Sequence, residues 1–111
     1  MDSLKKNKEF RRVYNRGKSI ASRYLVLYYF PNQSQESKLG LSISKKIGNA
    51  VVRNKIRRRI KEIIRLKKNI KRGFDLIFIA RMPIVELDYS RMEKDVNKLI
   101  KRAGLEKKDD R

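Results

Sequence analysis

Cysteine and histidine are both missing from this chain. Without cysteine, disulfides and thiol chemistry are excluded, which fits a cytoplasmic location. Without histidine, the commonest general base and the commonest metal ligand are gone. Acidic side chains are scarce, 12 in 111 residues, and the close pairs are Glu86/Asp88, Glu93/Asp95 and Asp109/Asp110. The first suits a loop and helix start, the second sits on a helix and the third in the tail. None has a third ligand suited to two-metal hydrolysis. Catalysis by the protein's own side chains is therefore disfavoured, and no cofactor is expected on it. No apolar run approaches the ~18 residues of a membrane span, so no membrane partner is expected. The opening MDSLKKNKEF lacks the apolar stretch of a secretory signal.

What is present is positive charge: 31 Lys and Arg give a formal net charge of +19. A compact body with that charge repels itself, so a polyanionic partner is the natural explanation. The 40% hydrophobic content, set in patterned blocks, argues against a disordered basic tail. Residues 1–72 hold 22 basic and 4 acidic side chains, whereas residues 73–111 hold 9 and 8. Charge kept only for solubility would not be segregated in this way.

The length fits one domain, residues 1–111. Residues 7–16 read as a short amphipathic helix, with Phe10, Val13 and Tyr14 at i, i+3, i+4 and Gly17 as the stop. Residues 18–23 form a short strand. Residues 24–30 form another, ended by Pro31, with Tyr24, Tyr28 and Phe30 on one face and Tyr29 on the other. Leu39, Leu41 and Ile43 alternate with Gly40, Ser42 and Ser44, giving a strand with one apolar and one small polar face. Asn49 caps a long helix over residues 50–71. Its stripe of Val52, Ile56, Ile60, Ile63, Ile64 and Ile70 is about 120° wide. Gly73 ends that helix, and residues 74–80 form a further strand. Ser90 and Glu93 have the form of a capping box opening the last helix. Met92, Val96, Leu99 and Ile100 face inward, and Gly104 closes it. The charged tail from Glu106 is expected to fray. The order α-β-β-β-α-β-α predicts an α+β fold with helices against a small sheet.

Two constellations could carry function. Lys45 and Lys46 close a strand and lead straight into a helix N-terminus, whose free N–H groups and dipole suit phosphate. Arg53, Asn54, Arg57, Arg58, Lys61 and Arg65 follow. Most of them cluster opposite the apolar stripe, as a ridge spaced for successive phosphates. Arg53 falls inside the apolar arc, which suits a reach across the first turn toward a specific ligand. The competing reading is a solvated basic face, which leaves the strand-end lysines and the segregated charge unexplained. The second constellation is aromatic: Phe10, Tyr14, Tyr28 and their neighbours could be stacking platforms for single-stranded RNA in a positive groove. The competing reading is ordinary core packing, weakest for Tyr28, whose hydroxyl needs water or a partner.

KKIGNAVVRNKIRRRIKE, residues 45–62, resembles the signature of the bacterial ribonuclease P protein family, built around Arg-Asn and spaced basic residues. EFRRVYNRGKS, RYLVLYY, LGLSISKK, FDLIFIAR and the final helix fall in the family's order, covering residues 4–104. The resemblance implies a four-stranded sheet with a left-handed βαβ crossover, against the usual right-handed rule. It implies a catalytic RNA subunit holding Mg²⁺, and a protein that grips the 5′ leader of precursor tRNA in a central cleft. On that resemblance Phe10, Tyr14, Tyr28 and Lys46 match the cleft, with Arg53 and Asn54 at its edge. Lys45, Arg57, Arg58, Lys61 and Arg65 match the side that docks on ribonuclease P RNA. The short N-terminus departs from the longer basic lead-in of many members. A ribosomal or rRNA-binding structural protein is the rival from another class, because fold alone does not separate the two. An aromatic cleft does, since an rRNA scaffold needs no groove for a free strand. A self-sufficient endoribonuclease is the second rival, opposed by the missing histidine.

Overall fold

Alternation along the strands sorts their side chains onto two faces of one sheet, and each face recruits different helices. A computed structural model describes residues 1–108. Its strands are β1 (Asp2–Ser3), β2 (Lys18–Ala21), β3 (Leu25–Pro31), β4 (Lys38–Ser42) and β5 (Phe74–Ala80); its helices are α1 (Asn7–Arg16), α2 (Ala50–Leu66) and α3 (Tyr89–Arg102). The sheet order is β1-β4-β5-β3-β2. β4 and β5 are parallel neighbours joined through α2, and β3 is antiparallel to β5 and β2.

The expected α+β fold forms, with five strands rather than four. The extra strand, β1, pairs Asp2 with Lys38 and Ser3 with Leu39. Two residues carry no readable alternation. What holds them is Leu4, whose N–H donates to the Leu39 carbonyl at 2.9 Å and whose side chain is buried.

On one face, Leu25, Leu27, Leu39, Leu76 and Phe78 meet Ile56, Ile60, Ile63 and Ile64 of α2 and Met92, Val96, Leu99 and Ile100 of α3 in the main core. The other face carries α1, whose Val13 is fully buried against Ile77 together with Leu4. Tyr24 precedes β3 and packs with the main core, so it does not share a face with Tyr28. Tyr29 faces the main core as its parity predicts.

Several boundaries differ from expectation: β2 ends at Ala21 and β4 at Ser42, so Lys45 and Lys46 lie in a 3-10 turn and not at a strand end. α2 stops at Leu66, and Lys67 caps it by donating to the carbonyls of Ile63 and Ile64. Beyond it, Ile70 is buried outside the helix and bridges to Glu106. The segment from Glu106 is therefore not frayed at its start: Lys67 pairs with Glu106 at 2.8 Å, and Lys107 N–H donates to the Asn69 carbonyl. Asp109, Asp110 and Arg111 lie outside the described residues. α3 is capped by Asp88, whose Oδ1 accepts from Arg91 N–H at 2.9 Å, and not by Ser90. Gly73 ends no helix but has φ +84°, a conformation that favours glycine.

Candidate nucleic-acid interface

α1 crosses the strands rather than running along them. Glu9 pairs with Lys38 on β4 at 3.0 Å, Arg12 with Asp75 on β5 at 3.7 Å, and the Arg16 guanidinium lies 5.4 Å from the Phe30 ring centre on β3. These contacts follow the sheet order and cover one row of cross-strand neighbours. The next row is Gly40, Ile77, Tyr28 and Ser19. Phe10 lies over Gly40, where a Cβ would sit 2.7 Å from its ring. Tyr14 stands edge-on to Tyr28, ring centres 5.1 Å apart. Phe10 and Tyr14 are 6.3 Å apart.

The third row is Ser42, Ile79, Val26 and Ala21. Tyr14 of α1 borders it at Ser42, and Ile79 packs at the margin of the cluster under α1. The row is thus a half-exposed floor with Tyr14 and Tyr28 along one side. Burial raises the Tyr14 pKa, with the Ser42 hydrogen bond opposing it, so its hydroxyl stays protonated and able to donate. Phe10, Tyr14, Tyr28 and Phe30 are all half-buried, part packing and part surface.

Beyond Ser42 the chain enters a 3-10 turn, Lys45–Ile47, with Lys45 and Lys46 both exposed. Ser44 Oγ accepts from Lys46 N–H at 3.1 Å, and Asn49 Oδ1 caps α2 by accepting from Val52 N–H at 3.0 Å. Arg53 is half-buried and does reach back across the first turn, but its Nε–H donates to the Gly48 carbonyl at 3.2 Å. Asn54 turns to the ridge, where its Oδ1 accepts from Arg57 Nη1 at 2.9 Å.

Arg58 and Lys61 are exposed and have no ion-pair or hydrogen-bond partner among the described residues. Together with Lys55, Arg59, Glu62, Arg65 and Tyr89 they line a hollow of about 570 Å³. Arg65 is tied to Glu62 at 2.8 Å, which lowers the Glu62 pKa and raises that of Arg65. Arg59 donates to the Leu87 carbonyl. The ridge thus contains free cations and tethered ones.

Sequence reasoning missed the floor residues Ser42, Ile79 and Val26, although strand parity puts them beside Tyr28. It also missed exposed Arg23 and Arg81 at the same end of the sheet, where Arg81 donates to the Ser22 carbonyl at 2.9 Å. Their signal was a basic residue next to a strand end. Among the described residues no three His, Cys, Asp or Glu side chains form a metal-binding group. No helix among them is long and apolar enough to cross a membrane.

A half-open sheet face bordered by tyrosines and a free basic ridge suit RNA, and comparison with known proteins specifies the family. The sequence model of the Ribonuclease P family matches residues 1–104. The chain belongs to the ribonuclease P protein family. The ribonuclease P protein component of Clostridium botulinum strain 657 is 49% identical over 106 residues, covering 94% of this chain and 96% of that one. That of Caldanaerobacter subterraneus is 43% identical, covering 95% and 91%. The Staphylococcus aureus RNase P protein superposes with a TM-score of 0.89 at 37% identity, covering 95% of this chain and 97% of that one. The Thermotoga maritima protein gives 0.85 at 31%, covering 92% and 97%. The chain is a protein component of ribonuclease P, the ribonucleoprotein that processes the 5′ end of precursor tRNA. The ribosomal alternative is not favoured.

Proposed function

We propose that the groove beside α1 holds the single-stranded 5′ leader of precursor tRNA, while the α2 ridge docks on ribonuclease P RNA, in the cytoplasm where both RNAs occur. The observation that carries this reading is the uncovered sheet row of Ser42, Ile79 and Val26 beside the Tyr14–Tyr28 pair. Aromatic rings stack on bases of any sequence, which suits leaders that differ from tRNA to tRNA. Lys46, at the turn beyond the floor, supplies charge for the strand's phosphates.

Catalysis in this reading lies with the RNA subunit and the Mg²⁺ it holds. The protein's residues bind and orient: Tyr14 and Tyr28 border the strand, Arg53 rigidifies the turn into α2 through Gly48, and Asn54 aims Arg57. Arg58 and Lys61 offer charges to the RNA backbone. Docking and leader capture on one rigid body convert leader affinity into correct placement of the scissile bond.

The test is to crosslink the protein to RNA in cells and sequence what is attached. Ribonuclease P RNA together with precursor tRNA leaders is the expected result. Enrichment of ribosomal RNA alone would contradict it.

A further inference from the structure

Residues 73–111 are nearly neutral in sequence, yet the fold sorts their charges by sign. On α3, Arg91, Lys94, Lys98, Lys101 and Arg102 are all exposed. Arg91, Lys94, Lys98 and Lys101 follow at i, i+3, i+7, i+10, one stripe spanning ~15 Å. The two acids of α3 are turned aside. Asp95 is half-buried and accepts from the Ser22 hydroxyl at 2.6 Å. Glu93 is half-buried beside Tyr89. Glu106, near Lys101, is held by Lys67. Arg91 has a 3.7 Å contact with Asp88, but Lys94, Lys98, Lys101 and Arg102 have no ion-pair partner among the described residues.

A solvated helix ordinarily mixes signs on its outer face, because like charges at i, i+4 destabilise it. Lys94–Lys98 and Lys98–Arg102 are such pairs. A polyanion along the stripe removes that cost. α3 packs on the same face of the sheet as α2, opposite the groove, so its occupant is not the leader. Its first residue, Tyr89, lines the hollow that contains Arg58 and Lys61.

We propose that the outer stripe of α3 is a second docking surface for the phosphate backbone of ribonuclease P RNA, continuous with the α2 ridge; this rests on the reading of α2 given above. The test uses Lys94→Gln/Lys98→Gln/Lys101→Gln, all exposed positions where glutamine keeps the helix, with melting curves to confirm folding. Affinity for ribonuclease P RNA is measured across a salt series beside wild type. Each lost phosphate contact makes the slope of log K against log salt shallower by about 0.7–0.9, so a change of about 2 is expected. An unchanged slope overturns the proposal while leaving α2 docking intact. Wild type failing to bind that RNA would instead overturn the underlying reading. An equal change with an unrelated RNA of the same length reduces the stripe to general attraction and also overturns it. Because the chain has no cysteine, Lys98→Cys can carry a tethered iron chelate. Cleavage of ribonuclease P RNA at defined positions in the assembled holoenzyme is expected; no cleavage above the untethered control contradicts docking by this stripe.

Discussion

Phe10 can lie across β4 because residue 40 has no side chain, and Glu9 holds the helix there from the other edge. The Glu9 carboxylate accepts from Lys38 Nζ at 3.0 Å and from the backbone N–H groups of Lys6 and Lys5. The Lys38 hydrogen bond first, then the backbone donors, lower its pKa to about 2. Folding therefore favours the ionised form. The contribution is present above the unfolded value near 4.5 and is lost as pH falls through about 2. Glu9→Gln should reduce stability at pH 7 and leave it unchanged relative to wild type at pH 2. The comparison is of urea midpoints at the two pH values; an equal difference at both would mean the carboxylate charge does not hold α1. The sequence showed Phe10 and Tyr14 on one helical face but not Arg12–Asp75. Asp75, in a strand that otherwise reads as apolar, is buried with Asn32 donating to it at 2.8 Å, and its partners lie far away in sequence.

Elements were legible where periodicity was long and misread where a distant segment decided their ends. The apolar stripe of α2 gave Ile56, Ile60, Ile63 and Ile64 as core, and they are. Ile70 fell on the same arc and is in the core too, but it lies outside the helix in a segment that bridges to Glu106, which no local pattern encodes. The sequence pointed to Ser90 as the cap of α3, but Asp88, two residues earlier, is the one that accepts. Asp88→Ala should cost about 0.5–2 kcal/mol, whereas Ser90→Ala, already inside the helix, should be close to neutral. Thermal unfolding of both variants checks this; the reverse order would restore the capping box. The groove floor was hidden for a different reason. Ser42, Val26 and Ile79 are ordinary strand residues, and only the strand order and the path of α1 leave them uncovered.

For the whole molecule, the positive charge was visible at once, but its distribution over the surface was not. Hydrogen bonding divides the ridge into tethered members, Arg57, Arg59 and Arg65, and free ones, Arg58 and Lys61. Arg58→Ala/Lys61→Ala should weaken binding to ribonuclease P RNA and flatten its salt dependence by about 0.7–0.9 per phosphate released. An unchanged slope would place both residues in solvent.

The central claim is that the tyrosine-bordered groove holds the leader, and Tyr28→Ala in the reconstituted holoenzyme tests it most directly. The quantity is the ratio of precursor to mature tRNA affinity, measured once circular dichroism shows the variant folded. Precursor affinity should fall by about 1–3 kcal/mol if a base stacks on the ring. Mature tRNA, which has no leader, should bind as before, and Tyr28→Phe should retain most of the ratio. A well-folded Tyr28→Ala holoenzyme with the wild-type ratio would contradict the account.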